Sequence, residues 1–275
     1  MQKGQIALVI GAVILALTLY FAGKTTSKKE TVTEKAIAVS LSLDQYEALQ
    51  ADKLLSAEKS QHSALLTAIK AVKSEDTATL KKLYLQTSEF WKKNGNQSLG
   101  SYYFYQFANL EATKTAFSSA GDVLINAYKN HADSTISNNL ITFAVRSYEN
   151  AVQKDSNDVE LQIKLADVYV QGSQEPMKGI GILRDLSAKL PDNIPVLLAL
   201  GRLSIQSGQY DKAKERLQKV LKLEPQNTEA LYFLAITEAQ LGHKEEAVRL
   251  FDMCKLLVNN KDFDKEIDDI VKSLK

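Results

Sequence analysis

Three histidines, one cysteine and two short polar motifs are the residues here that could do chemistry, and their spacing argues against it in each case. His62, His131 and His243 lie far apart, and no HExxH run joins any of them. A zinc hydrolase needs two imidazoles one helical turn apart with a glutamate between them. No acidic residue stands at a catalytic spacing from any of the three, so each reads as a surface residue. Cys254 is the single cysteine, and alone it can close neither an internal disulfide nor a thiolate metal cage. Gly179-Ile180-Gly181 lacks the third glycine and the preceding strand of a dinucleotide site, and there is no GxxxxGK[ST] to cradle a phosphate. Asp155-Ser156-Asn157-Asp158 opens like a calcium loop, but Leu161 stands near where that loop needs glycine and no glutamate closes it. The motif reads as a helix-terminating turn. The chain is therefore expected to be no enzyme, with no catalytic residue, cofactor or metal.

The elements that would carry any site are helical. Of the 275 residues, 45% are hydrophobic, enough for a sizeable core. Four prolines and twelve glycines are few for a chain turning every eight to twelve residues, and no period-2 alternation is sustained. The 34 basic and 33 acidic residues nearly cancel, which removes the basic excess that phosphate neutralisation requires. No nucleic acid is expected as a partner.

The helices repeat. Leu200, Gly208, Ala213, Leu217, Val220 and Leu223 recur 34 residues later as Leu234, Gly242, Ala247, Phe251, Cys254 and Leu257. A unit of that length cannot bury its own apolar face, so it must stack on neighbours and leave a long curved surface free. Cys254, in this register, is a small core residue. Upstream the interval is 35: Leu165 to Leu200, Ala144 to Gly179, Tyr148 to Leu183, Ala151 to Leu186 and Ser156 to Pro191. These intervals share only the segment from Leu165 to Gly179, which places the extra residue in the turn Gln171-Gly172-Ser173-Gln174-Glu175-Pro176, where lengthening a loop costs little.

At the other end, residues 6–22 run without a charge between Lys3 and Lys24. About 20 apolar residues cross a bilayer core, so this segment is short but adequate as an uncleaved transmembrane anchor. A cleaved signal peptide would end in small residues, whereas Leu19-Tyr20-Phe21-Ala22-Gly23 is bulky there. For orientation two readings stand. Lys24, Lys28 and Lys29 favour a cytoplasmic body, while a short basic start running at once into an apolar stretch is the layout of an anchor that exports the rest of its chain; the periplasmic side is preferred. Residues 24–42 read as a polar tether. From Asp44 helical spacing begins, with Leu65, Leu66, Ile69 and Val72 along one stripe. Ser74 is expected to cap a helix that carries Leu80, Leu83, Tyr84, Phe90 and Trp91 and ends at Asn94-Gly95-Asn96. Tyr102, Tyr103, Phe104, Tyr105 and Phe107 then cover most of one helix, which is expected to be clamped between two others.

These residues resemble the tetratricopeptide repeat family. Leu197, Leu200, Gly201, Gly208, Tyr210, Ala213, Leu217, Val220 and Pro225 fill that family's pattern in order, with Ser204 in place of its usual aromatic and Asn259 in place of a proline in the next unit. The resemblance implies an all-α, right-handed solenoid of paired helices A and B over 115–260, with repeats near 115–158, 159–193, 194–227 and 228–260. It would come after an anchor at 1–23, a linker at 24–42 and extra helices at 43–114, and end in a cap helix at 261–275. The first unit is the weakest, with a loop from His131 to Asn138 too long for the standard turn. In layout the chain is similar to N-terminally anchored bacterial envelope proteins. In this family the groove is lined by helix A, which implies a partner-binding face at Ile163, Asp167, Val170, Leu198, Arg202, Ile205, Tyr232 and Ile236. Members that grip chaperone C-termini place Lys and Asn there; Ile163 and Asp167 instead suit an apolar or amphipathic protein segment. The expected function is a membrane-tethered scaffold that binds protein partners. The alternatives are a structural protein that self-associates through the aromatic helix and the cap, and a groove filled by the chain's own N-terminal helices.

Overall fold

Short polar side chains at helix N-termini divide the chain into its elements. Asn193 accepts from the Val196 amide at 3.1 Å and Asn227 from the Ala230 amide at 2.9 Å, and Asp158 caps in the same way through Leu161. Each satisfies one of the amides that a helix start leaves without an internal partner. The computed structural model describes residues 42–130 and 134–274. Among them are thirteen α-helices: α1 (Leu43–Ala51), α2 (Ser56–Ala71), α3 (Thr77–Lys93), α4 (Gln97–Glu111), α5 (Lys114–Lys129), α6 (Ser134–Lys154), α7 (Val159–Gly172), α8 (Pro176–Lys189), α9 (Ile194–Gln206), α10 (Tyr210–Leu223), α11 (Thr228–Gln240), α12 (Lys244–Val258) and α13 (Lys261–Leu274). The expected anchor at 6–22 and His131 lie outside the described residues. Among those described, no helix is long and apolar enough to cross a membrane.

From α3 onward each helix packs chiefly on a sequence neighbour, and α9 also touches α7 on one side and α11 on the other. Because these A helices are drawn together while their B partners α8, α10 and α12 alternate behind them, the A side is the inner side of the curve. The core runs along the interior of the stack as adjoining clusters. Leu217, Phe251, Cys254 and Ile267 are fully buried in the C-terminal one, and Leu124, Leu140 and Ala144 in the central one. Gly201 lets α9 approach α10, since a Cβ there would meet the Leu217 side chain at 3.0 Å. Gly208 and Gly242 hold φ near +70° and +85° in the A-to-B turns, a region that side chains rarely adopt. Where Pro225 comes after α10, Asn259 ends α12 in the left-handed conformation instead. In α4, Tyr103 and Tyr105 are buried and Tyr102, Phe104 and Phe107 are half-buried against α3, α5 and α6, so the aromatic helix is core.

Three expectations need correction. Asp76, not Ser74, caps α3, accepting from the Thr79 amide at 3.1 Å; Ser74 stands two residues too early to reach it. Helix α6 starts at Ser134 and absorbs the expected loop from Ser134 to Asn138, because Ile136 and Leu140 are fully buried in the central core. The extra residue of the 35-residue unit lengthens α7, which has 14 residues against 13 for α9 and for α11, whereas three residues separate A from B in every case. Gly172 is thus helical, and its missing Cβ leaves room for Ile141, which a side chain would meet at 2.4 Å.

Candidate partner-binding groove

The A helices present the eight expected groove residues in two classes. Ile163 and Leu198 are 8% and 7% exposed and belong to the core clusters. Their side chains hold α7, α9 and α11 together, so a partner cannot use them as contact surface. Asp167, Val170, Arg202, Ile205, Tyr232 and Ile236 are half-exposed.

Along this face Arg202 ties the three A helices. Its Nη1 donates to Glu229 Oε1 on α11 at 2.5 Å and its Nη2 to Asp167 Oδ2 on α7 at 3.4 Å. Burial holds the Asp167 carboxyl above its usual range, with Arg202 opposing that shift. One guanidinium serves two carboxylates, so its charge is already matched within the protein. Toward the N-terminal side, Asp122 on α5 accepts from Tyr148 at 2.6 Å and from Lys164 at 3.1 Å. Toward the C-terminal side the face turns apolar: Ile205, Tyr232 and Ile236 are followed by Phe263 of α13, whose ring lies 6.2 Å from Tyr232. The groove therefore has a self-paired polar half and an apolar half.

Ser204, where the family pattern has an aromatic, is buried and bonded to Arg216 of α10, which also donates to the Leu200 carbonyl at 3.3 Å. The described helices that pack on α9 are α7, α8, α10 and α11, and α1–α4 are not among them.

Of the two described histidines, His243 is exposed, as expected, and His62 is not. His243, at the start of α12, sits 2.6 Å from Glu238, a buried carboxylate that Lys214 also reaches at 2.9 Å. His62 is buried, with Nε2 2.8 Å from Glu47 Oε1. Trp91 Nε1 donates to the same oxygen at 3.0 Å, and the Tyr103 hydroxyl reaches both carboxylate oxygens at 3.0 and 2.9 Å. Four helices, α1 to α4, each contribute one member. The signal was present in part: Leu43, Glu47 and Ala51 fall at i, i+4 and i+8, which puts an acid in the middle of the stripe that α1 turns inward.

The tetratricopeptide repeat model matches residues 178–222 and 205–264. The two matches overlap and together span 178–264, and over this stretch the chain is similar to tetratricopeptide repeats. The match opens in α8 and closes in α13, so α1–α7 lie outside it. Solved structures, two of them described as tetratricopeptide repeat proteins, overlap more of the chain but superpose partially. TTC0263 of Thermus thermophilus is 16% identical over 70% of this chain and 98% of that one, with a TM-score of 0.49. MamA from Desulfovibrio magneticus RS-1, from residue 41 to its end, is 17% identical over 66% and 97% with a TM-score of 0.46. YrrB, described as having an unusual peptide-binding site, is 16% identical over 75% and 98% with a TM-score of 0.42. No curated protein matches the chain.

Proposed function

We propose that this chain is a membrane-tethered scaffold that binds a protein partner in the A-helix groove. The supporting observation is the apolar half of that groove: Ile205, Tyr232 and Ile236 stand half-exposed in a row beside the Arg202 bridge. An amphipathic segment that lays its apolar side on these three residues fits that division. A photo-crosslinker at Ala239, on the same helix, should capture a discrete partner identifiable by mass spectrometry. Tyr232→Glu and Ile236→Lys should each abolish capture, and because both side chains also pack on the C-terminal core, thermal unfolding of each variant must show that the stack stays folded. Undiminished capture in both would rule out the groove. A charge at Leu198 would test folding instead, because that side chain is core.

The tether rests on the apolar run at 6–22, and the division into anchor, linker 24–42, helices 43–114 and solenoid 115–260 is part of the same proposal. We place the body on the periplasmic side. Cys254 is fully buried, which pushes its thiol up to about 11, so it does not compete for thiol reagents. Gln218→Cys, on the exposed side of α10, should then be labelled in intact cells by a membrane-impermeant maleimide. Protection until the cells are lysed would put the body in the cytoplasm.

A further inference from the structure

Above the Glu47 carboxylate lies an open cavity of about 580 Å³ between α1, α2, α3 and α4. Three tyrosines line it, and their rings stand at angles to one another: Tyr103 lies 5.4 Å from Tyr102 at 65° and 6.2 Å from Tyr84 at 39°. Leu66 and Ile69 complete an apolar wall. The anions here are Asp44, exposed at the rim, and Glu47, buried at the floor. Tyr102 and Tyr103 both resist ionisation, chiefly through burial, with Asp44 and Glu47 adding to the effect in each. The walls therefore lie within the field of both acids. Lys70, exposed on α2, is the cation at the opposite edge, and His62 is held on Glu47.

The ligand such a cavity can hold is set by how its groups are already engaged. Glu47 is buried, with His62, Trp91 and Tyr103 on Oε1 and Tyr103 also on Oε2, so it serves a ligand in the cavity mainly through its charge. A cation without N–H groups needs only a negative field and aromatic faces, and a ring within about 6 Å of it contributes through its quadrupole. Its methyl groups also match the wall of Leu66 and Ile69. We propose that this cavity binds a quaternary ammonium group. The site is separate from the groove and does not depend on it.

The only tryptophan of the chain, Trp91, is bonded to the cavity floor and reports on it. The experiment uses the full chain, kept where needed in a sugar-headed detergent that carries no ammonium group, and titrates choline against its neutral isostere 3,3-dimethylbutan-1-ol. Choline should change Trp91 emission saturably and the isostere should not. Asp44→Asn and Tyr102→Leu should each weaken choline binding roughly three- to tenfold. Lys70→Met should tighten it, because a repelling charge is removed. Asp44 and Lys70 are exposed, so their variants leave the fold intact, and an unchanged thermal transition verifies this. The proposal is overturned if the isostere acts like choline, if no saturation occurs up to about 10 mM, or if Lys70→Met weakens binding as Asp44→Asn does. Phosphatidylcholine vesicles that displace choline, where phosphatidylglycerol vesicles do not, would assign the ammonium to a lipid headgroup. Displacement by soluble betaine alone would assign it to a free metabolite, and either result supports the site.

Discussion

Glu47→Ala is expected to destabilise the N-terminal end of the stack by about 3–5 kcal/mol, the range found when one partner of a buried charged network is removed. The carboxylate is 7% exposed and takes His62, Trp91 and Tyr103 together. Its loss strands three buried donors, each of which was desolvated on folding and then has no acceptor. The damage should stay local, because a stacked array transmits stability only between neighbours. Urea unfolding followed by Trp91 fluorescence should shift to lower denaturant than the bulk transition followed by far-UV circular dichroism. Glu47→Gln keeps the volume and one acceptor oxygen, so it should fall between wild type and alanine. Coincident, unshifted transitions in Glu47→Ala would show that the network contributes little.

Gly179→Ala should be nearly as damaging, while Gly181→Ala, two residues along the same helix, should be harmless or stabilising. A Cβ on Gly179 would stand 2.3 Å from the Ala166 carbonyl oxygen and within 3.0 Å of Val170 and Tyr169, all on α7. A carbonyl oxygen in the middle of a helix cannot swing aside as a flexible side chain can, so α8 must lift off α7. Overpacking costs typically about 1–3 kcal/mol, and backbone against backbone places this case at about 3 or above. Nothing lies within 4 Å of a Cβ on Gly181, and alanine there gains about 0.5–1 kcal/mol of helix propensity. Thermal unfolding of the two variants side by side should move in opposite directions. Equal shifts would show that α7 and α8 are less closely seated than the distances indicate.

The pair shows how far one sequence motif can be read. Gly179-Ile180-Gly181 could be excluded as a phosphate loop because that chemistry needs a strand before it and a further glycine. Which of its glycines touches α7 was invisible, because that depends on the crossing of two helices. The same division runs through the site. The 34-residue spacing, the turns at Gly208 and Gly242 and the burial of Cys254 could be read because a repeat states the same local solution twice. The groove residues were placed on the A helices by their register, but register alone does not separate Leu198, which joins the core, from Ile205, which stays half-exposed on the same helix. His62 was misread for a related reason. Its partners stand 15 residues before it, at Glu47, and beyond it at Trp91, which reaches Glu47 across 44 residues.

Helical class, period and the positions of most turns arise from interactions between residues three or four apart, such as caps, glycine turns and apolar stripes, and these are written along the chain. Which acids and histidines lose their water is settled only when helices meet, because desolvation depends on what faces a side chain and not on its neighbours in sequence. That is why a chain whose residues promised no chemistry buries a four-residue polar network at one end of its solenoid and ties its groove together with a single arginine.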